Sequence, residues 1–125
     1  MKRLFAIIIV ALFAFSLSGQ SQKRPVIGIS STWGGGTTTQ VPVTYVNSVI
    51  LAGGVPLVLP LTDDLELLGA MLDRVDEVIM TGGEDIDPLK WFGEEPIPAM
   101  GEIAPKRDDF DIALIRLAVE RGIPL

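Results

Sequence analysis

Two residue types that commonly do nucleophilic and proton-transfer chemistry near neutral pH are missing: the sequence has zero Cys and zero His. That removes disulfides, thiolate nucleophiles and thiolate metal sites, together with the commonest general base and transition-metal ligand. The groups that remain are clustered. Thr81-Gly82-Gly83 is followed by the carboxylates Glu84, Asp85 and Asp87, and Arg107-Asp108 lies farther on. Three close carboxylates could recruit a hard cation, but a calcium or magnesium site needs about six oxygen ligands in defined geometry. Asp85 is better read as bracing its own loop in an Asx-type turn, so no metal site is expected. Gly34-Gly35-Gly36 lacks the spacing of a dinucleotide fingerprint and opens no immediate helix, and no Walker sequence occurs; no cofactor is expected.

These groups need a scaffold, and from Pro25 onward the text alternates short apolar runs with helical periods, each junction carrying Gly or Pro. That is the pattern of βαβ units. Val26 to Ile29 is a continuous β-rich run of the kind buried on both faces of a parallel sheet. Ser31 to Gln40 has no period and is expected to be a loop. A helix is predicted from about Pro42 to Ala52, with Tyr45, Val46, Val49 and Ile50 on one face and Gly53-Gly54 to stop it. Val55 to Leu59 is the second strand. Thr62 or Asp63 is expected to cap the next helix, with Asp63 and Glu66 resembling a capping box and Leu65, Leu68, Met71, Leu72 and Val75 forming its stripe. Glu77 to Met80 reads as a strand running into the glycine pair, and Glu84 to Lys106, with four prolines, as loop or broken helix. Asp108 is expected to cap the last helix, which Gly122 ends. Ile123-Pro124-Leu125 then looks like the entry to a fourth strand. Val49, Ile50, Leu68, Leu72, Leu114 and Leu117 are the expected core.

The first residues belong to none of this. Lys2 and Arg3 precede twelve apolar residues, Leu4 to Phe15, and Ser16 to Gly19 supply small residues for cleavage after Ser18 or Gly19. This is a signal peptide pattern, too short for the roughly 20 residues of a bilayer span. Residues 1–19 are therefore expected to be a leader and 20–125 the mature domain, exported and periplasmic, with no membrane association after cleavage. Without Lys2 and Arg3, eight basic residues face sixteen acidic ones, which argues against nucleic acid as a partner.

The segments "RPVIGIS", "YVNSVILAGGVPLVLP", "DEVIMTGGEDIDPLKWFGEEP" and "KRDDFDIALIRLAVERGIPL" resemble, in order and spacing, the peptidase C26 branch of class I glutamine amidotransferases. That branch includes γ-glutamyl-γ-aminobutyrate hydrolases. The resemblance implies an α/β, flavodoxin-like parallel sheet with helices on both faces, here truncated at the start of the fourth strand. It also implies hydrolysis of a small-molecule γ-glutamyl amide by a Cys, His, Glu triad. The family's nucleophile sits in a Gly-Ile-Cys-Arg-Gly elbow after the strand that begins here at Ile123, about four residues beyond Leu125.

The resemblance also implies roles for residues that are present. The family's glycine pair after the third strand helps stabilise the oxyanion formed on carbonyl attack, and Gly82 and Gly83 match it. Gly83 is expected to be the N–H donor and Gly82 to shape the turn, glycine permitting close approach and positive φ; a plain turn is the structural alternative. Arg107 matches the Arg of an Arg-Asp pair, able either to bind a substrate carboxylate bidentately or to serve in helix capping and a surface ion pair. Trp33, on the loop after the first strand, either lines the pocket rim or is ordinary loop composition.

Three readings follow. The chain is the N-terminal part of an exported γ-glutamyl hydrolase, itself inactive for want of a nucleophile; or a non-catalytic exported α/β ligand-binding module; or a small complete interaction protein. A homo-oligomer is compatible with each.

Overall fold

The computed structural model describes residues 23–34 and 36–125; the expected leader, 1–19, lies outside them. The elements in chain order are β1 (Val26–Ser30), β2 (Thr32–Gly34), β3 (Thr38–Gln40), α1 (Val43–Leu51), β4 (Val55–Leu59), α2 (Leu65–Leu72), β5 (Glu77–Ile79), α3 (Pro88–Phe92) and α4 (Pro105–Glu120).

β1 pairs in parallel with β4 on one side, Val26 opposite Val55 through Ser30 opposite Leu59, and with β5 on the other, Ile27 opposite Glu77 through Ile29 opposite Ile79. The order β4-β1-β5 is the start of the flavodoxin-like arrangement, in which the first strand is central and the third lies opposite the second. Beyond β5, Val78 N–H donates to the Pro124 carbonyl at 2.9 Å. The last residues thus run beside β5, where the sequence places a fourth strand.

Helices cover both faces of this sheet because a parallel strand buried on both sides needs a partner for each. Ile27 and Ile29 of β1 pack with Val49 of α1, flanked by Val41, Tyr45, Val46 and Ile79. On the opposite face Leu59 and Val78 meet Leu68 and Leu72 of α2 and Phe110 and Leu114 of α4, with Leu117 against the cluster. Gly28 makes the second contact possible: a Cβ there would stand 3.0 Å from Leu59 Cδ1 and 3.3 Å from Val75 Cγ1.

Several expectations need correcting. Ser31 to Gln40 is not all loop: within it β2 and β3 pair antiparallel, with Trp33 opposite Thr39. Ile50 is 48% exposed, because at 100° per residue it falls off the edge of the stripe set by Tyr45, Val46 and Val49. The cap of α2 is Asp64, whose Oδ1 accepts from Glu66 and Leu67 N–H at 3.0 Å each. Asp108 does not cap α4, which begins earlier, at Pro105 behind Ala104; Pro suits the first turn, where its missing N–H would be unbonded anyway. The proline-rich segment holds the short helix α3 and a single parallel bridge between Asp85 and Ile103.

Candidate active site

In an open parallel sheet, ligands bind beyond the carboxyl ends of the strands where the strand order reverses. Here that point is between β1 and β5, and the residues issuing from it are Ser30-Ser31 and Thr81-Gly82-Gly83-Glu84. Ser30 and Ser31 are fully buried, and each hydroxyl has a partner, as burial of a hydroxyl requires. Ser31 Oγ donates to the Leu59 carbonyl at 2.6 Å, tying β1 to β4. Ser30 Oγ accepts from Thr81 N–H at 2.8 Å, tying β1 to the turn.

The turn is held from two further sides, by Tyr45 and by Arg107. Gly82 N–H donates to the Tyr45 hydroxyl of α1 at 3.0 Å. Arg107 Nη2 donates to the Thr81 carbonyl at 2.7 Å, and Arg107 Nη1 bonds Glu84 Oε2. Arg107 Nε donates to Asp111 Oδ2, one helical turn on, at 3.2 Å. With its side chain 4% exposed, Arg107 spends all three guanidinium nitrogens inside the chain. It grips the turn from within.

This grip explains why residue 83 is glycine. A Cβ on Gly83 would coincide with Arg107 Nη1, so the guanidinium occupies the space of the missing side chain. The backbone there does not have positive φ; close approach, not dihedral freedom, requires the glycine. Gly82 is different, since a Cβ there meets only the Tyr45 hydroxyl at 3.6 Å. Among the described residues, Gly83 N–H takes part in none of the hydrogen bonds that hold the turn, and Gly82 and Gly83 are both exposed.

The charges around Arg107 differ in character. A bond from its own backbone N–H, and then the Arg107 guanidinium, hold the Glu84 carboxyl below the usual range. Burial pushes Asp111 the other way, to about 6, against the attraction of Arg107. Asp111 Oδ1 is buried without a hydrogen-bond partner. A carboxylate taken from water without full compensation is driven toward its neutral form.

The acidic run after the glycines does structural work. Asp85 Oδ2 accepts from Gly101 N–H at 2.6 Å. Asp87 Oδ1 caps α3 by accepting from Leu89 and Lys90 N–H, and Asp87 N–H donates to buried Asp108 Oδ2 at 2.9 Å. Asp108 therefore spans from α4 to the α3 entry. No group of three His, Cys, Asp or Glu side chains able to hold a metal occurs among the described residues.

Trp33 is 43% exposed on β2, with Lys106 Nζ 5.4 Å from its ring centroid. Both line a cavity of about 750 Å³ with Leu61, Thr62, Asp63 and Leu65. Trp33 and Arg107 do not converge on one space: Trp33 faces this cavity while Arg107 is buried behind the turn. Sequence reasoning missed Tyr45, Ser30 and Asp111 as parts of the site. Only Asp111 left a trace, as the residue four after Arg107 on one helix face.

A sequence profile described as Peptidase C26 matches residues 25–125. A Mycobacterium tuberculosis protein provisionally named a glutamine amidotransferase is 40% identical over 86 residues, 68% of this chain and 28% of its own length. Protein NtpR of Enterococcus hirae is 35% identical over 109 residues, 81% of this chain and 45% of NtpR. The γ-glutamyl-γ-aminobutyrate hydrolase of Escherichia coli O157:H7 is 32% identical over 110 residues, 82% of this chain and 41% of the hydrolase. The chain thus spans less than half the length of these relatives. With the profile covering the whole of the α/β unit, the chain belongs to the peptidase C26 family of glutamine amidotransferase-like proteins.

Proposed function

We propose that this chain is the N-terminal part of an exported γ-glutamyl hydrolase, in which Gly83 N–H stabilises the oxyanion formed when an amide carbonyl is attacked. The observation that carries the reading is the turn after β5: it lies at the strand-order reversal, it is clamped by Ser30, Tyr45 and Arg107, and Gly83 N–H is outside those bonds. An oxyanion donor must be held in place before the charge forms, because its value of about 3 to 4 kcal/mol depends on preorganisation. The reaction is cleavage of a γ-glutamyl amide, supported by the relative named as a γ-glutamyl-γ-aminobutyrate hydrolase. Since the 125 residues contain zero Cys and zero His, the nucleophile and its base come from sequence outside them. Gly82 shapes the turn. Arg107 holds the turn from behind, and Trp33 borders a separate cavity with Lys106 and Leu61.

The test has two parts. Nucleotide sequence downstream of the Leu125 codon should continue into a Gly-x-Cys elbow and later a His-x-Glu. The product of the full reading frame should release glutamate from γ-glutamyl-γ-aminobutyrate, whereas the 125-residue chain should release none. A stop codon directly after Leu125, or an inactive full-length product, would remove the hydrolase reading.

A further inference from the structure

We propose that Asp111 is a positioning residue: its ionised carboxylate holds the Arg107 guanidinium in the space beside Gly83 and so fixes where the Gly83 N–H points. The inference rests on Gly83 as oxyanion donor, but its structural half stands without that role.

The geometry forms an unbroken chain of contacts. Asp111 Oδ2 accepts from Arg107 Nε at 3.2 Å. The other end of the same rigid, planar guanidinium bonds the Thr81 carbonyl at 2.7 Å and Glu84, bracketing Gly83 on both sides in sequence. Because the guanidinium also fills the place of the absent Gly83 side chain, a movement of Arg107 moves a group in van der Waals contact with the turn. Arg107 is buried, Glu84 keeps 29% of its side-chain exposure, and Asp111 keeps 17%. Asp111 is therefore the less hydrated of the two carboxylates that orient Arg107.

The groups facing Asp111 are Arg107 and Asp108 on α4 and Glu84 from the turn after β5. Arg107 favours its ionised form, while Asp108 and Glu84 oppose it together with burial. The buried, unpartnered Oδ1 has no hydrogen bond with which to hold a charge. Ionisation at this position is marginal, and it is coupled to Arg107 by direct contact. Below the midpoint a neutral Asp111 still accepts from Nε but no longer holds the guanidinium by charge, and the turn relaxes.

The experiment is a pH titration of the 125-residue chain by NMR from pH 4.5 to 8, following the Asp111 carboxyl carbon and the Thr81 and Gly83 amides. The expected result is that the Gly83 amide shifts with a midpoint near 6, matching that of the Asp111 carboxyl, and that Asp111→Asn abolishes the shift. A Gly83 amide that is flat across the range, or that titrates unchanged in Asp111→Asn, overturns the proposal. Should Asp111→Asn fail to fold, comparison of the two midpoints in the wild-type chain decides alone: coincidence supports the proposal and separation sinks it. In the full reading-frame product, Asp111→Asn is expected to lower kcat about tenfold at pH 8 with KM within about twofold, part of the loss that follows removal of an oxyanion donor. An inactive wild-type product defeats the hydrolase reading, and the NMR result still decides the positioning role.

Discussion

Replacing Gly83 by alanine is expected to destabilise the chain far more than replacing Gly82, although the two are adjacent, exposed and both outside the positive-φ region. A Cβ on Gly82 meets the Tyr45 hydroxyl at an ordinary 3.6 Å, and alanine also restricts the unfolded chain, which favours the fold by about 0.4 to 1 kcal/mol where the backbone accepts it. Gly82→Ala should therefore be neutral within about 0.5 kcal/mol once minor readjustment is allowed. A Cβ on Gly83 lands on Arg107 Nη1 and 2.6 Å from Cζ. The guanidinium must then withdraw from the Thr81 carbonyl and from Glu84, and at 4% exposure it cannot reach water without disturbing the packing around it. Hydrogen bonds to a charged group contribute about 1.5 to 3 kcal/mol each. With Glu84 partly hydrated and able to follow the guanidinium, losing the equivalent of one gives a cost of about 2 to 3 kcal/mol. Urea denaturation read by circular dichroism measures this as a lower midpoint at constant m. The decisive measurement is the double-mutant cycle. With Arg107→Ala already in place the obstruction is gone, and adding Gly83→Ala should cost less than about 0.5 kcal/mol, a coupling of about 2 kcal/mol. Additivity within about 0.5 kcal/mol would refute the claim that Arg107 is what makes residue 83 a glycine.

Three further outcomes are expected. Because the Asp111 pKa is raised in the fold, from 3.8 to about 6, the folded state binds the proton more tightly; the stability contributed is full below about 3.8 and lost as pH rises toward 6. The shift is worth about 3 kcal/mol at 1.36 per unit, and screening by water at the exposed part of the carboxyl leaves about 1 to 2. Urea unfolding of wild type and Asp111→Asn at pH 4 and 7 should show wild type losing that amount relative to the variant. Asp64→Ala removes the acceptor for two N–H groups at the start of α2 and should cost about 1 kcal/mol, with Asp63→Ala near zero. Phe110→Ala empties a position that is 2% exposed between α4 and the sheet and should cost about 3 to 5 kcal/mol.

The βαβ alternation, the parallel character of β1 and the place of the glycine pair at the end of β5 were legible in the amino-acid order. They were legible because apolar runs, helical stripes and Gly or Pro junctions are local signals, written within a few residues of the structure they specify. The sequence also carried the family, through motifs in a fixed order. Helix entries were less legible: Thr62, Asp63 and Asp64 are all able caps, and which of them folds back on the first turn depends on how the strand before it delivers the chain. The hairpin of β2 and β3 was hidden because its polar, exposed strands have no buried face to impose a period. What Arg107 and Gly83 are to each other emerges only with the packed fold. They lie 24 residues apart in sequence, and the reason for the glycine, a buried guanidinium standing where a side chain would be, exists only once α4 has packed against the end of β5. The same packing buries Asp111 and leaves one of its oxygens without a partner, which turns an unremarkable helical aspartate into the most strongly perturbed carboxyl of the site.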